Sequence, residues 1–244
     1  MELPVGHVGG PPLYGKMMRS ISRGHSIGNT IRMLKLPLIF TSAELYAGAI
    51  AQFYFLTAAL ETALDKHAEY PMIARVRGLG LNLTPGYAAD LKELCGKDWR
   101  SRAEQMQTAA TKAYVEIVRE ASPVELTAAA FILYGALVVG GGKMTQAKVR
   151  KIFPSCTHAL FDVAPDMKEA RAQFKATFTA IGKEFPDEFE TLETQAARFM
   201  GLNNTVVLSI RCLGRRTSAA LGAATLAAAA TVLAWAVRRW RTAE

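Results

Sequence analysis

Apolar side chains recur three and four residues apart along most of the chain, and the residues between the runs punctuate helices. Thr41-Ser-Ala-Glu44 reads as a capping box, and Leu45, Ala49, Phe53, Leu56, Leu60 and Leu64 follow it on one face. That pattern predicts an amphipathic helix of about 25 residues. Thr84 and Pro85 supply an N-cap and a first-turn proline for a helix through Leu91 and Leu94. Ser101-Arg-Ala-Glu104 predicts a helix reaching Glu120, and Ser122-Pro-Val-Glu125 launches the apolar run from Leu126 to Val139. Shorter helices are expected near 145–153 and 166–184, and Pro186-Asp187 starts a long one towards Leu213. Neither an alternating strand with a hairpin turn nor an internal repeat is present. The expectation is an all-α domain of about seven to nine helices over residues 18–213, behind a flexible Gly- and Pro-rich arm at 1–17.

Two stretches break the amphipathic pattern. From Thr217 to Val237 there are 21 residues without a charge, set between Arg215-Arg216 and Arg238, Arg239 and Arg241. As a helix this run reaches roughly 30 Å, the thickness of a bilayer's hydrocarbon core. Trp235 and Trp240 stand where interfacial aromatics belong. Residues 214–244 are therefore expected to be a single-pass C-terminal anchor, the alternative being a buried last helix of a soluble protein. Ten of the 21 residues are alanine, and Ala220, Gly222, Ala224 and Ala228 suit close packing against other helices of a membrane-protein complex. The second stretch, Leu126 to Gly142, is 17 uncharged residues ending in three glycines. Each glycine costs a helix about 1 kcal/mol. A bent helix over a pocket, or a tight helix crossing, is expected there in preference to a second span.

The net charge of +8 resides at the two ends. Residues 1–43 carry +4 and residues 211–244 carry +5, which leaves −1 for the middle. That distribution suits anionic lipid or organelle targeting and argues against a nucleic-acid partner. The acid-free stretch between Glu2 and Glu44, dotted with Arg, Lys and Ser, resembles a mitochondrial targeting composition, with the endoplasmic reticulum as the second choice of membrane. Cys95, Cys156 and Cys212 are too scattered for a disulfide framework. Cys156 and His158 form a C-x-H pair that is read as packing and surface rather than as zinc ligands. Gly140-Gly-Gly-Lys-Met-Thr145 lacks the spacing and the preceding strand of a phosphate loop.

Three patches resemble haem oxygenase, and together they cover roughly residues 18–210. Arg23-Gly24-His25-Ser26 is similar to the family's proximal ligand segment. Gln52 to Glu61, with the Tyr70-Pro71 turn and Leu91 to Trp99, is similar to its aromatic helix and the segment after that helix. Tyr134-Gly-Ala-Leu-Val-Val-Gly-Gly141 is similar to its glycine-rich distal helix, and membrane-bound members of the family also end in an anchor. The resemblance implies a haem-oxygenase-like helical fold, with His25 as ligand to haem iron. It also implies that Gly140 and Gly141 lie against the haem face, and that Arg19, Arg23 and Lys175 hold the propionates.

The departures from the family pattern are specific. The distal aspartate, which orders the water network of the family's oxygen chemistry, is Leu137 here. The first distal glycine is Ala136, the motif serine is Val139, and a pocket tyrosine is Phe131. The basic residue three before the ligand is Ser22, and the partner of Lys175 one turn on is Thr179. Leu137, Val138 and Val139 are expected to fill space that haem would occupy. The sequence thus points to a tail-anchored relative that has lost haem cleavage and serves as an accessory subunit of a membrane complex. The alternatives are a divergent haem oxygenase, which makes biliverdin, iron and carbon monoxide with a partner reductase, and a haem carrier or sensor.

Overall fold

In the computed structural model the described residues are 12–140 and 142–214. The uncharged run and its basic flanks, Gly141 and most of the N-terminal arm lie outside them. Among the described residues there is no strand but there are eleven α-helices, more than the sequence pattern predicts. They are α1 (Leu13–Ser20), α2 (Ser22–Ile39), α3 (Ala43–Lys66), α4 (Pro71–Arg77), α5 (Thr84–Cys95) and α6 (Trp99–Met106). After these come α7 (Ala109–Glu120), α8 (Pro123–Val138), α9 (Gly142–Ile152), α10 (Met167–Glu184) and α11 (Phe189–Ser209). Short 3-10 turns stand at Ala159–Phe161 and Pro186–Glu188.

Helix starts follow local chemistry where a side chain caps its own first turn. Ser42 accepts from Leu45 N–H, and Ser122 and Glu125 form the full reciprocal box at α8. Asp166 accepts from the N–H groups of Lys168 and Glu169 at α10. Three starts differ from the expectation: at α3 the cap is Ser42 rather than Thr41, whose Oγ1 donates back to Leu38 C=O at 2.7 Å, and at two others distant groups intervene. The helix predicted from Ser101 to Glu120 is broken at Gln107, whose backbone is extended, and Thr108 caps α7 instead. Buried Gln52 holds this break, donating to Met106 C=O at 3.0 Å and accepting from Thr108 N–H at 3.0 Å and Thr111 Oγ1 at 2.8 Å. At α5, Glu61 accepts from the N–H groups of Leu83 and Thr84, so the cap comes from α3.

α8 is the centre of the fold. Every residue from Leu126 to Tyr134 is buried, and α3, α4, α10 and α11 pack around it. A helix apolar on all sides must be enclosed by protein or by lipid, and here protein encloses it. α10 adds Phe174 and Phe178, each fully buried against Phe131. Burying such a ring contributes about 1.5–3 kcal/mol. The arm ends sooner than expected, because Leu13 and Met17 of α1 are core residues. α8 and α9 meet at 54°, the bend expected at the glycines. A Cβ on Gly140 would stand 2.3 Å from Ala136 C=O, so this turn admits glycine alone.

Candidate functional site

α2 crosses α11 closely because two glycines let it. A Cβ on Gly24 would meet Met200 Cγ at 2.8 Å, and one on Gly28 would meet Asn204 Oδ1 at 2.2 Å. His25 lies between these glycines on the neighbouring face. The crossing therefore fixes where the histidine points. It points into a cavity of about 620 Å³, bounded by α2, α3, α8, α9, α10 and α11. That volume lies in the range of small-molecule sites, about 300–1,000 Å³. The expectation of a filled pocket is overturned. Val138 is buried elsewhere in the core, and Leu137 is half-buried outside the lining. Only Val139 of the three faces the cavity.

The walls are amphipathic in a particular way. Ile21, Phe53, Phe131, Ile132, Phe174 and Val207 make an apolar slot, and Gly135, Ala136 and Gly140 line it where α8 ends. Phe131 meets Phe178 edge-on at 4.9 Å and so closes the slot without offering a hydroxyl. The basic groups are Arg32, Lys143 and Arg171. Arg171 Nε donates to Val138 C=O at 2.9 Å, and Lys143 Nζ reaches Asp162 Oδ1 at 2.7 Å, holding that carboxyl below its usual range. Arg19, Arg23 and Lys175, the residues expected to hold propionates, are exposed and outside the lining. Arg171, one turn before Lys175, takes the place expected of it. Arg171 and Lys175 stand four apart on one stripe of α10, and only the rotation of that helix in the fold decides between them.

Asn203 and Asn204 were not anticipated either, although two adjacent amides in an otherwise apolar stretch were a usable signal. Asn204 Nδ2 donates to Gly24 C=O at 2.8 Å, while its buried Oδ1 has no partner. Such an orphan costs about 1–3 kcal/mol. It lies beside Gly28, one turn from His25, on the cavity wall. The His25 ring itself makes no hydrogen bond among the described residues. Among the described lining residues there is no aspartate, glutamate, serine, threonine or tyrosine. A flat macrocycle with a central metal and two carboxylates fits this donor set. It would have a neutral imidazole for the metal, an apolar slot for the ring and three cations for the carboxylates.

A second cluster has metal-ligand chemistry but another function. Asp90, Cys156 and His158 are buried, with ligand atoms within 4.8 Å of one another. His158 Nε2 lies 3.0 Å from Phe153 C=O, so that nitrogen carries the proton, and Nδ1 accepts from Tyr46 OH at 3.1 Å. Asp90 accepts from the N–H groups of Ala159 at 2.6 Å and Leu160 at 3.0 Å. Burial pushes the Asp90 carboxyl up and the Cys156 thiol up to about 12. With these ring nitrogens and carboxylate oxygens committed, the cluster is a strut tying residues 153–161 to α3 and α5. It also holds His158 in the left-handed region at φ 58°. The pair is packing, as expected, but it is not on the surface.

A model of the Heme oxygenase family matches residues 20–199. Heme oxygenase 1 of Nostoc sp. PCC 7120 is 28% identical over 115 residues, 46% of this chain and 47% of that protein. The alignment thus spans about half the length of that curated relative. Among solved structures, heme oxygenase 2 from Chlamydomonas reinhardtii, crystallised without heme, superposes with a TM-score of 0.76 at 25% identity, covering 84% of this chain and all of that one. Heme oxygenase-1 from Synechocystis sp. PCC 6803, solved in complex with heme, has a TM-score of 0.71 at 18% identity over 89% of this chain and 99% of that one. At that identity the second likeness speaks for the fold alone.

Proposed function

The chain belongs to the haem oxygenase family, and on that premise we propose that this member holds haem without cleaving it, as a tail-anchored accessory subunit of a membrane complex. One observation carries the loss of cleavage: the open cavity presents a histidine, three cations and three amides, and among its described residues no carboxyl or hydroxyl on the side of α8, where Lys143 is held by Asp162. Asn29, Asn203 and Asn204 can orient water, but an amide does not exchange a proton near neutral pH. His25 would ligate the iron, and Arg32, Lys143 and Arg171 would hold the carboxylates. Bound haem would supply a redox-active iron with room for a small ligand. Membership of the haem oxygenase family over residues 20–199 supports the binding half of this reading. The uncharged, alanine-rich run at Thr217–Val237 supports membrane attachment among other helices, and the acid-free N-terminus supports a mitochondrial membrane.

Haemin titration of the full-length protein in mild detergent, followed in the Soret band, tests the proposal. The expected result is a saturable shift that His25→Ala abolishes, and no bile pigment when a reductase is added. Absence of the shift sinks haem binding. Pigment formation would instead make the chain a divergent haem oxygenase.

A further inference from the structure

Among the described residues, a row of apolar side chains with most of its members exposed lies away from the cavity, on the outer face of α2. Ile27, Ile31, Leu34 and Leu38 follow one another at steps of four, three and four, so they form one stripe. Ile27 is 50% exposed, Leu34 71% and Leu38 44%, while Ile31 between them is half-buried. The cavity uses a different face of the helix, that of Ile21, His25 and Arg32, and α11 covers a third, that of Gly24 and Gly28. The stripe continues onto α11. Lys35 Nζ donates to Val207 C=O at 3.0 Å and also to Leu208 C=O, which brings exposed Leu208 beside this part of α2. Leu213 follows just beyond α11, and four residues later the uncharged run begins at Thr217.

The charge around the stripe has one sign. Between Glu2 and Glu44 the chain has no acid, and Arg19 and Arg23 stand exposed on α1 and α2, whereas Arg32 lines the cavity and Lys35 is held by α11 carbonyls. Scattered exposed apolar residues are ordinary on a soluble domain, but a contiguous row is not. A second copy is a poor occupant, because pairing two such stripes would oppose cation to cation. An anionic bilayer matches both properties, taking apolar side chains into the headgroup boundary and drawing on Lys and Arg at its surface. We infer that the stripe Ile27–Ile31–Leu34–Leu38, extended by Leu208, lies on an anionic membrane surface and holds the domain down beside its anchor. This rests on the membrane attachment proposed above, and it turns the His25 face of α2 away from the lipid.

The test uses the full chain in vesicles of phosphatidylcholine and phosphatidylserine. Cys95 and Cys156 are buried, so with Cys212→Ser a fluorophore can be placed by Leu34→Cys or, as a control on exposed α7 surface, by Glu120→Cys. The expected result is that the label at 34 is quenched by spin-labelled lipid and several-fold less by iodide than the label at 120. If the protein floats with vesicles but 34 is as open to iodide as 120, the docking face falls and the anchor stands. If the protein does not float, both fall. Shielding from iodide without quenching by lipid would mean that residues 217–237 cover the stripe, and shielding that grows with protein density would mean a second copy. Either of those overturns the inference.

Discussion

His158 and His25 show two fates of one side chain. His158 is buried, its Nε2–H donates to Phe153 C=O, and its Nδ1 receives the Tyr46 hydroxyl. It has partners on both nitrogens and no space. His25 has a cavity of about 620 Å³ before it and an unpaired amide oxygen nearby. Buried polar groups that are fully satisfied rigidify a core, whereas groups left open beside a cavity await a ligand. By sequence only the family resemblance separates the two, placing His25 in the proximal-ligand patch and leaving the C-x-H pair around His158 as packing. The difference lies in what surrounds each ring. Composition does not show it.

That contrast can be broken by substitution. His25→Ala should abolish the haem Soret shift while leaving urea stability within about 0.5 kcal/mol, as for an exposed position. His158→Ala should do the reverse, lowering stability by about 2–4 kcal/mol because Tyr46 OH and Phe153 C=O lose a shared partner and a hole is left. Equal effects of the two on stability would remove the distinction. Gly140→Ala comes next, at about 1–3 kcal/mol in urea denaturation, since the added methyl meets the Ala136 carbonyl. A haem titration that weakens in step would show that this turn also shapes the cavity.

Arg171→Ala should weaken haem binding roughly tenfold, the equivalent of about 1.4 kcal/mol and typical of a hydrogen bond to a charged group. Lys175→Ala should leave it unchanged, and the opposite ranking would restore the sequence-based assignment. The smallest effect concerns acid. Glu125 is held below its usual pKa first by Ser122 N–H and then by the Ser122 hydroxyl and Arg198. Its contribution to stability is present above the unfolded-state value and is lost as pH falls through the lower folded one. Glu125→Gln should therefore flatten the loss of stability on acidification through that window by a few tenths of a kcal/mol, the group being largely solvent-screened. An unchanged acid slope would mean that the cap does not couple to folding.

The helix class and the starts capped from within were legible because they are local. Ser122 and Asp166 each satisfy N–H groups two or three residues away, a spacing that can be read along the chain, and at α3 the pattern misses the cap by one residue, Ser42 for Thr41. The pattern does not reveal α2, because its apolar residues face outwards and its packing face is glycine, so its stability comes from α11 rather than from its own periodicity. The break at Gln107 was invisible for a similar reason, since Gln52 lies more than fifty residues upstream.

The order of residues along the chain was enough to set the all-α class, the caps at Ser122 and Asp166 and the glycine bend after α8. All of these are carried by residues near one another in the chain. Tertiary packing was needed to decide that the cavity stays open and that Arg171, Arg32 and Lys143 line it in place of Arg19, Arg23 and Lys175. It also decided that Asn204 Oδ1 lacks a partner whereas both ring nitrogens of His158 have one. Each of these depends on how a helix is rotated against neighbours far away in sequence, and side-chain spacing along one helix carries no information about that rotation.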